Sequence, residues 1–324
     1  MSVQTSSISS AFIWRRVHSL MGLWLVLYLI VHLITNSQAA LWFGDDGSGF
    51  VKMVNALETL PYLQVVETVL IGIPLLIHGV WGVKRALTSK LNSSGGDGSR
   101  PGLKYNRNRA FTWQRLSSWI LLVGIIGHVV QMRFLDAPKK AMSTVGEQYF
   151  VKLNFDEGLY TLAARLHVNL FSPGDVESAA KQVRTMGPMC MPRLGNGKYN
   201  ADEDSARMMA QKAQEEKEWM AALASFKLKD TQVVAVSSMP GTAFLLMVRD
   251  TFKSPIMAVL YTIFLLAAAF HAFNGFWTFL ITWGMILSYR SQRAMVSVSI
   301  MGMVVLSLLG LAAIWCSYWV NLRY

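Results

Sequence analysis

The sequence predicts an all-α membrane protein, a bundle of five transmembrane helices, and three observations carry that prediction. Apolar residues make up 53% of the 324 positions and charged residues only 15%, whereas soluble domains are about 25% charged. Five apolar runs are long enough to cross a bilayer, which takes about 20 helical residues with every backbone hydrogen bond made internally. Basic residues gather at alternate connections between those runs.

The spans read as about 17–42, 60–83, 113–134, 256–287 and 296–320. The first is too long for the ~7–15-residue apolar core of a cleaved leader. Arg15 and Arg16 precede it; Lys84, Arg85, Lys90, Arg100, Lys104, Arg107 and Arg109 separate the second and third spans, and Arg290 and Arg293 separate the fourth and fifth. Between the first and second, Lys52 stands alone against Asp45, Asp46 and Glu58. By the positive-inside rule the N-terminus and the two basic connections are cytoplasmic, and five crossings place the C-terminus outside. The net charge of +11 therefore reports orientation, and no nucleic-acid partner is expected.

Three regions follow: 1–135 with the first three helices, 136–254 as an outer-side soluble insertion, and 255–324 with the last two helices. Acidic and basic residues nearly balance in the insertion. "ADEDSARMMAQKAQEEKEWMAALASF" predicts an amphipathic helix with Met208, Trp219, Met220 and Leu223 in its apolar stripe, and "TQVVAVS" predicts a strand. "GPMCMPRLGNG" reads as a turn-rich loop, and "LNSSGGDGSRPG" as a flexible cytoplasmic linker. Cys190 and Cys316 supply neither a C-x-x-C-H motif nor a disulfide framework.

His32, His78, His128 and His271 lie well inside four different spans, where ionisable side chains are costly and mark function. A histidine alone there can simply hydrogen-bond a neighbouring carbonyl; four, one per helix, ask for a shared reason. At 1.5 Å per residue, His32 and His128 lie roughly 20–24 Å from the cytoplasmic ends of their helices, and His78 about 9 Å. His271 also falls towards the inside, which pairs His32 with His128 and His78 with His271. Facing imidazoles at two depths match the axial ligands of two b-type haems. One length resists this scheme: His271 is 19 residues before Arg290, about 28 Å, so the fourth helix is expected to project into the cytoplasm. Gly22, Gly72, Gly79, Gly82, Gly124, Gly127 and Gly275 lie on the same helices, and either leave room for a macrocycle or let helices approach closely. Zinc or copper sites collect three or four ligands at one point, unlike these pairs. The competing reading is a haem-free, proton-coupled transporter with Glu58 and Glu67 in its path.

The segments "RRVHSLMGLWLVLYLIVHLITNSQA", "LPYLQVVETVLIGIPLLIHGVWGV", "FTWQRLSSWILLVGIIGHVVQMRF" and "SPIMAVLYTIFLLAAAFHAFNGFWTFLITWGMILSYRSQR" resemble, in order, the cytochrome b membrane anchor of succinate:quinone oxidoreductase (complex II), of the single-subunit, five-helix, di-haem type. The resemblance implies a bacterial inner-membrane protein that takes electrons from an iron–sulfur subunit, itself served by an FAD-carrying flavoprotein subunit, and passes them through two haem b groups to quinone, here menaquinone. It implies that His78 and His271 hold the proximal haem and His32 and His128 the distal one. Quinol:fumarate reductase, the same anchor run in reverse, is the alternative, and a higher oligomer of the complex is compatible with either. His18, Ser19, Gln114 and Arg115 stand at cytoplasmic helix starts, where they can meet haem propionates or lipid headgroups. Glu58, then Glu67, are candidates for quinone proton transfer. The insertion departs from the short connection of the family; His167 within it reads as a local structural residue.

Overall fold

The computed structural model describes residues 9–40, 46–88, 106–186 and 201–320. The linker 91–102, the loop 187–197 and Cys190 lie outside the described residues. In chain order the elements are α1 (Ser10–Ser37), α2 (Ser48–Glu58), α3 (Leu63–Glu67), a π-helical segment Thr68–Gly72, α4 (Ile73–Thr88), α5 (Asn106–Val129) and a second π-helical segment Val130–Leu135. There follow β1 (Lys139–Ser143), β2 (Gly146–Asn154), α6 (Glu157–Arg165), β3 (Asn169–Phe171), α7 (Pro173–Thr185), α8 (Ala201–Ala224), β4 (Gln232–Ser237), α9 (Pro240–Phe252), α10 (Pro255–Thr282) and α11 (Tyr289–Val320).

Among the described residues, five helical stretches are long and apolar enough to cross a membrane: Ser10–Ser37, Leu63–Thr88, Arg107–Leu135, Pro255–Thr282 and Tyr289–Trp319. α1 starts at Ser10, ahead of the arginine pair, because charge marks where a helix leaves the apolar layer and not where its hydrogen bonds end. The same holds at α4, which runs past Lys84 and Arg85 to Thr88.

The fourth span ends earlier than the sequence reading placed it, at Thr282 instead of 287. Gly284 takes φ +70°, its N–H donates to the Ile281 carbonyl (3.0 Å), and the Met285 N–H donates to Leu280 (2.9 Å). That is a Schellman cap, which satisfies the last carbonyls and turns the chain. The length conflict at His271 then disappears. His271 is 11 residues from the end of α10 and His78 is 10 from the end of α4, about 17 and 15 Å.

The chain divides into two compact units. The first holds residues 1–37, 60–129 and 258–314, and its spans run antiparallel. Trp14 stacks on Trp81 at 5.5 Å while Trp24 Nε1 donates to the Leu70 carbonyl at 2.6 Å, so α1 and α4 pass in opposite directions. Arg16 bonds the Thr282 carbonyl, and Trp277 Nε1 donates to the Gln292 carbonyl at 3.3 Å. The starts of α1 and α11 therefore share one end with the finish of α10.

The second unit holds 130–257 and takes in 38–59 and 315–324 as well. Its antiparallel sheet has the order β1-β2-β4-β3, with Val151 opposite Ala235 and Leu170 opposite Ala235 on the other side. Side chains alternate across a strand, so Val151, Leu153 and Ala235 join a core with Phe50 and Val51 of α2, Leu159 and Leu162 of α6, and Leu245 and Leu246 of α9. Phe150, Val234 and Val236 join the opposite core with Val176, Ala179 and Leu223. With both faces covered, β4 is apolar almost throughout, a run without alternation. Met220 and Leu223 of the expected stripe on α8 are buried and Trp219 packs on Phe150 at 5.8 Å, but Met208, three turns earlier, is 61% exposed. Gly241 N–H donates to Asn55 Oδ1 at 2.7 Å, tying α9 to α2.

Candidate functional site

The first unit brings the four intramembrane histidines together in two pairs. The rings of His78 and His271 have centroids 6.2 Å apart and lie at 78°; those of His32 and His128 are 5.9 Å apart at 85°. Two imidazoles that each place a nitrogen about 2 Å from one metal ion have centroids roughly 6 Å apart. Among the described residues no group of three or more His, Cys, Asp or Glu gathers to hold a bare metal ion.

Each histidine also has its Nδ1 engaged. His78 Nδ1 lies 3.1 Å from the His18 carbonyl, His271 Nδ1 3.3 Å from Ser117 Oγ, His128 Nδ1 3.3 Å from the Tyr261 hydroxyl and His32 Nδ1 3.5 Å from the Tyr28 hydroxyl. A proton on Nδ1, donated to these oxygens, leaves Nε2 as a bare lone pair. Metal-bound histidines are held in this way, with the other ring nitrogen bonded to an oxygen that fixes tautomer and orientation. The donor set, its pairing and its spacing therefore fit a haem iron in each pair.

The helix faces follow from sequence spacing. Tyr28 precedes His32 by four residues and stacks on it at 5.5 Å and 29°, since positions four apart share a helix face. Ser117 lies three residues after Gln114, whose Nε2 donates to the His271 carbonyl at 3.1 Å. Asn274, three residues after His271, donates through Nδ2 to Gln114 Oε1 at 2.7 Å. One amide pair thus clamps α5 to α10 beside His271. Gly22 makes the close approach at His78: a Cβ there would fall 2.8 Å from His78 Cε1. Gly124 meets Phe264 in the same manner, whereas Gly79 and Gly127 have no neighbour within 4 Å of a Cβ position.

The remaining site residues separate. The His18 ring stacks on His78 at 4.0 Å and 11°. Arg115 Nη2 donates to the Ala86 carbonyl at 2.9 Å, fastening α5 to the end of α4. Ser19 is half-buried on α1. Glu67 ends α3 immediately before the π-helical segment and lies within electrostatic reach of Tyr28. Glu58 ends α2 in the second unit, where its charge reaches Tyr149. His167 is exposed at φ +53° in the turn before β3. Spacing alone signals Tyr28, Ser117 and Asn274, which had drawn no role of their own; Tyr261, ten residues from His271 and contacting a histidine of another helix, carries no local signal.

The chain is similar to a succinate dehydrogenase cytochrome b subunit. The relative is the succinate dehydrogenase cytochrome b558 subunit of Bacillus subtilis (strain 168), 24% identical over 304 residues that cover 94% of this chain and 95% of that protein. No family model matches the chain, and no solved structure matches it. The similarity runs nearly end to end, and the five apolar helices agree with a membrane anchor of that kind.

Proposed function

We propose that the chain is the di-haem cytochrome b anchor of a succinate:menaquinone oxidoreductase, passing electrons from an iron–sulfur subunit to membrane quinone. The observation that carries this reading is the pair of facing imidazole pairs, each ring with Nδ1 bonded to oxygen and Nε2 left for a metal. A haem in each pair supplies a one-electron centre. His78 and His271 lie at the end where Arg15, Arg16 and the start of α11 gather, the cytoplasmic end under the positive-inside rule, and serve the iron–sulfur partner. His32 and His128 serve the outer half. FAD and the iron–sulfur clusters belong to the partner subunits, and the flavoprotein decides between succinate oxidation and fumarate reduction.

Two protons accompany each reduced quinone, and a carboxylate near the distal pair can deliver them. Glu67 takes that role in preference to Glu58. It shares the first unit with His32 and His128 and lies within electrostatic reach of Tyr28. It also borders a π-helical segment, a feature frequent at functional sites. Gln114, Asn274 and Ser117 orient His271; His18 and Arg115 hold the ends of α1, α4 and α5 around the proximal pair.

A dithionite-reduced minus oxidised spectrum of the purified protein tests the reading. Two b-type haems per chain are expected, and a haem-free protein would refute it. Glu67→Gln should slow succinate-driven reduction of a menaquinone analogue by the whole complex at an unchanged haem spectrum, while Glu58→Gln should not.

A further inference from the structure

The two histidine pairs differ in what holds their Nδ1 atoms. In the pair His78 and His271 the partners are the His18 backbone carbonyl and the Ser117 hydroxyl. In the pair His32 and His128 both partners are tyrosine hydroxyls, Tyr28 from the same helix as His32 and Tyr261 from α10, across from His128 on α5. Each tyrosine also packs its ring on its imidazole, with centroids 5.5 Å apart at Tyr28 and 5.8 Å apart at Tyr261. Phe264 backs the second contact, 5.9 Å from His128 and 6.2 Å from Tyr261. It occupies the space left by the missing side chain of Gly124. The tyrosines are thus built in from two directions around one site.

We propose that Tyr28 and Tyr261 are positioning residues that act as a pair on the His32–His128 site, their two hydroxyls lowering the reduction potential that the same site would have without them. The proposal rests on the di-haem reading. A phenol oxygen accepts the Nδ1–H and still has its own O–H to give, and hydrogen bonds in a chain polarise one another. Pulling the Nδ1 proton outwards raises the basicity of Nε2. An electron-richer axial ligand favours the oxidised iron, and axial-ligand hydrogen bonding is one of the levers by which a protein sets a haem potential. With a tyrosine on each side, both ligands of the same iron are raised, and removal of either hydroxyl weakens one of them.

The experiment is a redox titration of the haem absorbance in the purified full-length protein, for the wild type and for Tyr28→Phe, Tyr261→Phe, the double variant and Ser117→Ala. The wild type should titrate in two transitions. Each Phe variant should move the same transition upwards, the double variant should move it further, and Ser117→Ala should shift only the other. Two transitions that stay in place in both Phe variants, or Phe variants that move different transitions, would overturn the proposal while leaving the di-haem reading intact. A wild type with fewer than two haems per chain would overturn both. Should a Phe variant lose haem, its partner variant and Ser117→Ala still decide which iron each hydroxyl serves, and a loss confined to the transition that Ser117→Ala moves also overturns the proposal.

Discussion

At the scale of single residues, the four intramembrane histidines are the most legible part of the chain, because an imidazole inside an apolar helix is costly enough to need a reason. Depth along each helix pairs His32 with His128, whereas His271 matches His78 only once α10 is seen to end at Thr282, and the rings of each expected pair lie about 6 Å apart. Replacing either His78 or His271 with Ala should remove one haem and leave the spectrum of the other; retention of both haems in either variant would contradict the pairing. Gly22→Ala should disturb the same haem, since its Cβ would press on His78 at 2.8 Å, and the spectrum of the His32–His128 site should stay as it was. The oxygens that hold each Nδ1 were harder to see. Tyr28 and Ser117 share a helix face with a residue already singled out, but Tyr261 meets His128 only because α10 passes α5 at that level.

At the scale of elements, helix ends divide into those written locally and those set by packing. Gly284 closes α10 with a Schellman cap at φ +70°, and a residue with a side chain is strained there by roughly 1–2 kcal/mol. Gly284→Ala should therefore lower the midpoint temperature of the protein in detergent by a few degrees without loss of haem; an unchanged midpoint would mean that the cap contributes nothing. The amphipathic helix α8 and the strand β4 followed from periodicity, whereas β1, β2 and β3 did not. β2 mixes Gln148, Lys152 and Asn154 with apolar positions, and β3 is only three residues long, so neither shows enough repeats of a period to be recognised. Met208 sits on the right face of α8 yet stays 61% exposed, because a periodic stripe shows which face is apolar and not how much of it finds a partner.

At the scale of the whole molecule, the buried ion cluster of the second unit has no counterpart in the sequence reading. Arg249, 2% exposed, makes a two-pronged pair with Asp156 at 2.8 and 2.9 Å, and Lys253 adds a third bond at 3.0 Å. The Arg249 guanidinium also lies over the Tyr318 ring at 4.9 Å, joining α9 to the end of α11 within that unit. Burial pushes the Asp156 carboxyl up, but Arg249 and Lys253 outweigh it and hold it at about 2. A depressed carboxyl stabilises the fold above its unfolded value near 4 and loses that contribution as pH falls towards about 2. Burial raises the neighbouring Asp250 carboxyl despite the bonds it accepts from Asn154, so its contribution has the opposite sign and grows as pH falls through its folded value. Thermal unfolding followed against pH should thus show acid loss concentrated between about 4 and 2. Arg249→Met, which leaves the half-buried Asp156 with Lys253 alone, should cost about 1–3 kcal/mol and abolish much of that dependence. Orientation is checked independently: Val145→Cys, at an 82% exposed turn of the insertion, should react with an impermeant maleimide in intact cells, and Leu87→Cys, 71% exposed at the end of α4, only after lysis.

By itself the sequence determined the number of spans and which four of them carry the histidines, because hydropathy and residue position are properties of single helices. The tertiary structure decided what lies beside them: the hydroxyls on each Nδ1, the Gln114–Asn274 clamp, the placing of Glu67 and not Glu58 in the unit of the histidines, and the recruitment of 38–59 into the second unit. Those are contacts between helices, or between segments far apart in the chain. No local period encodes them, and they exist only once the apolar faces have packed.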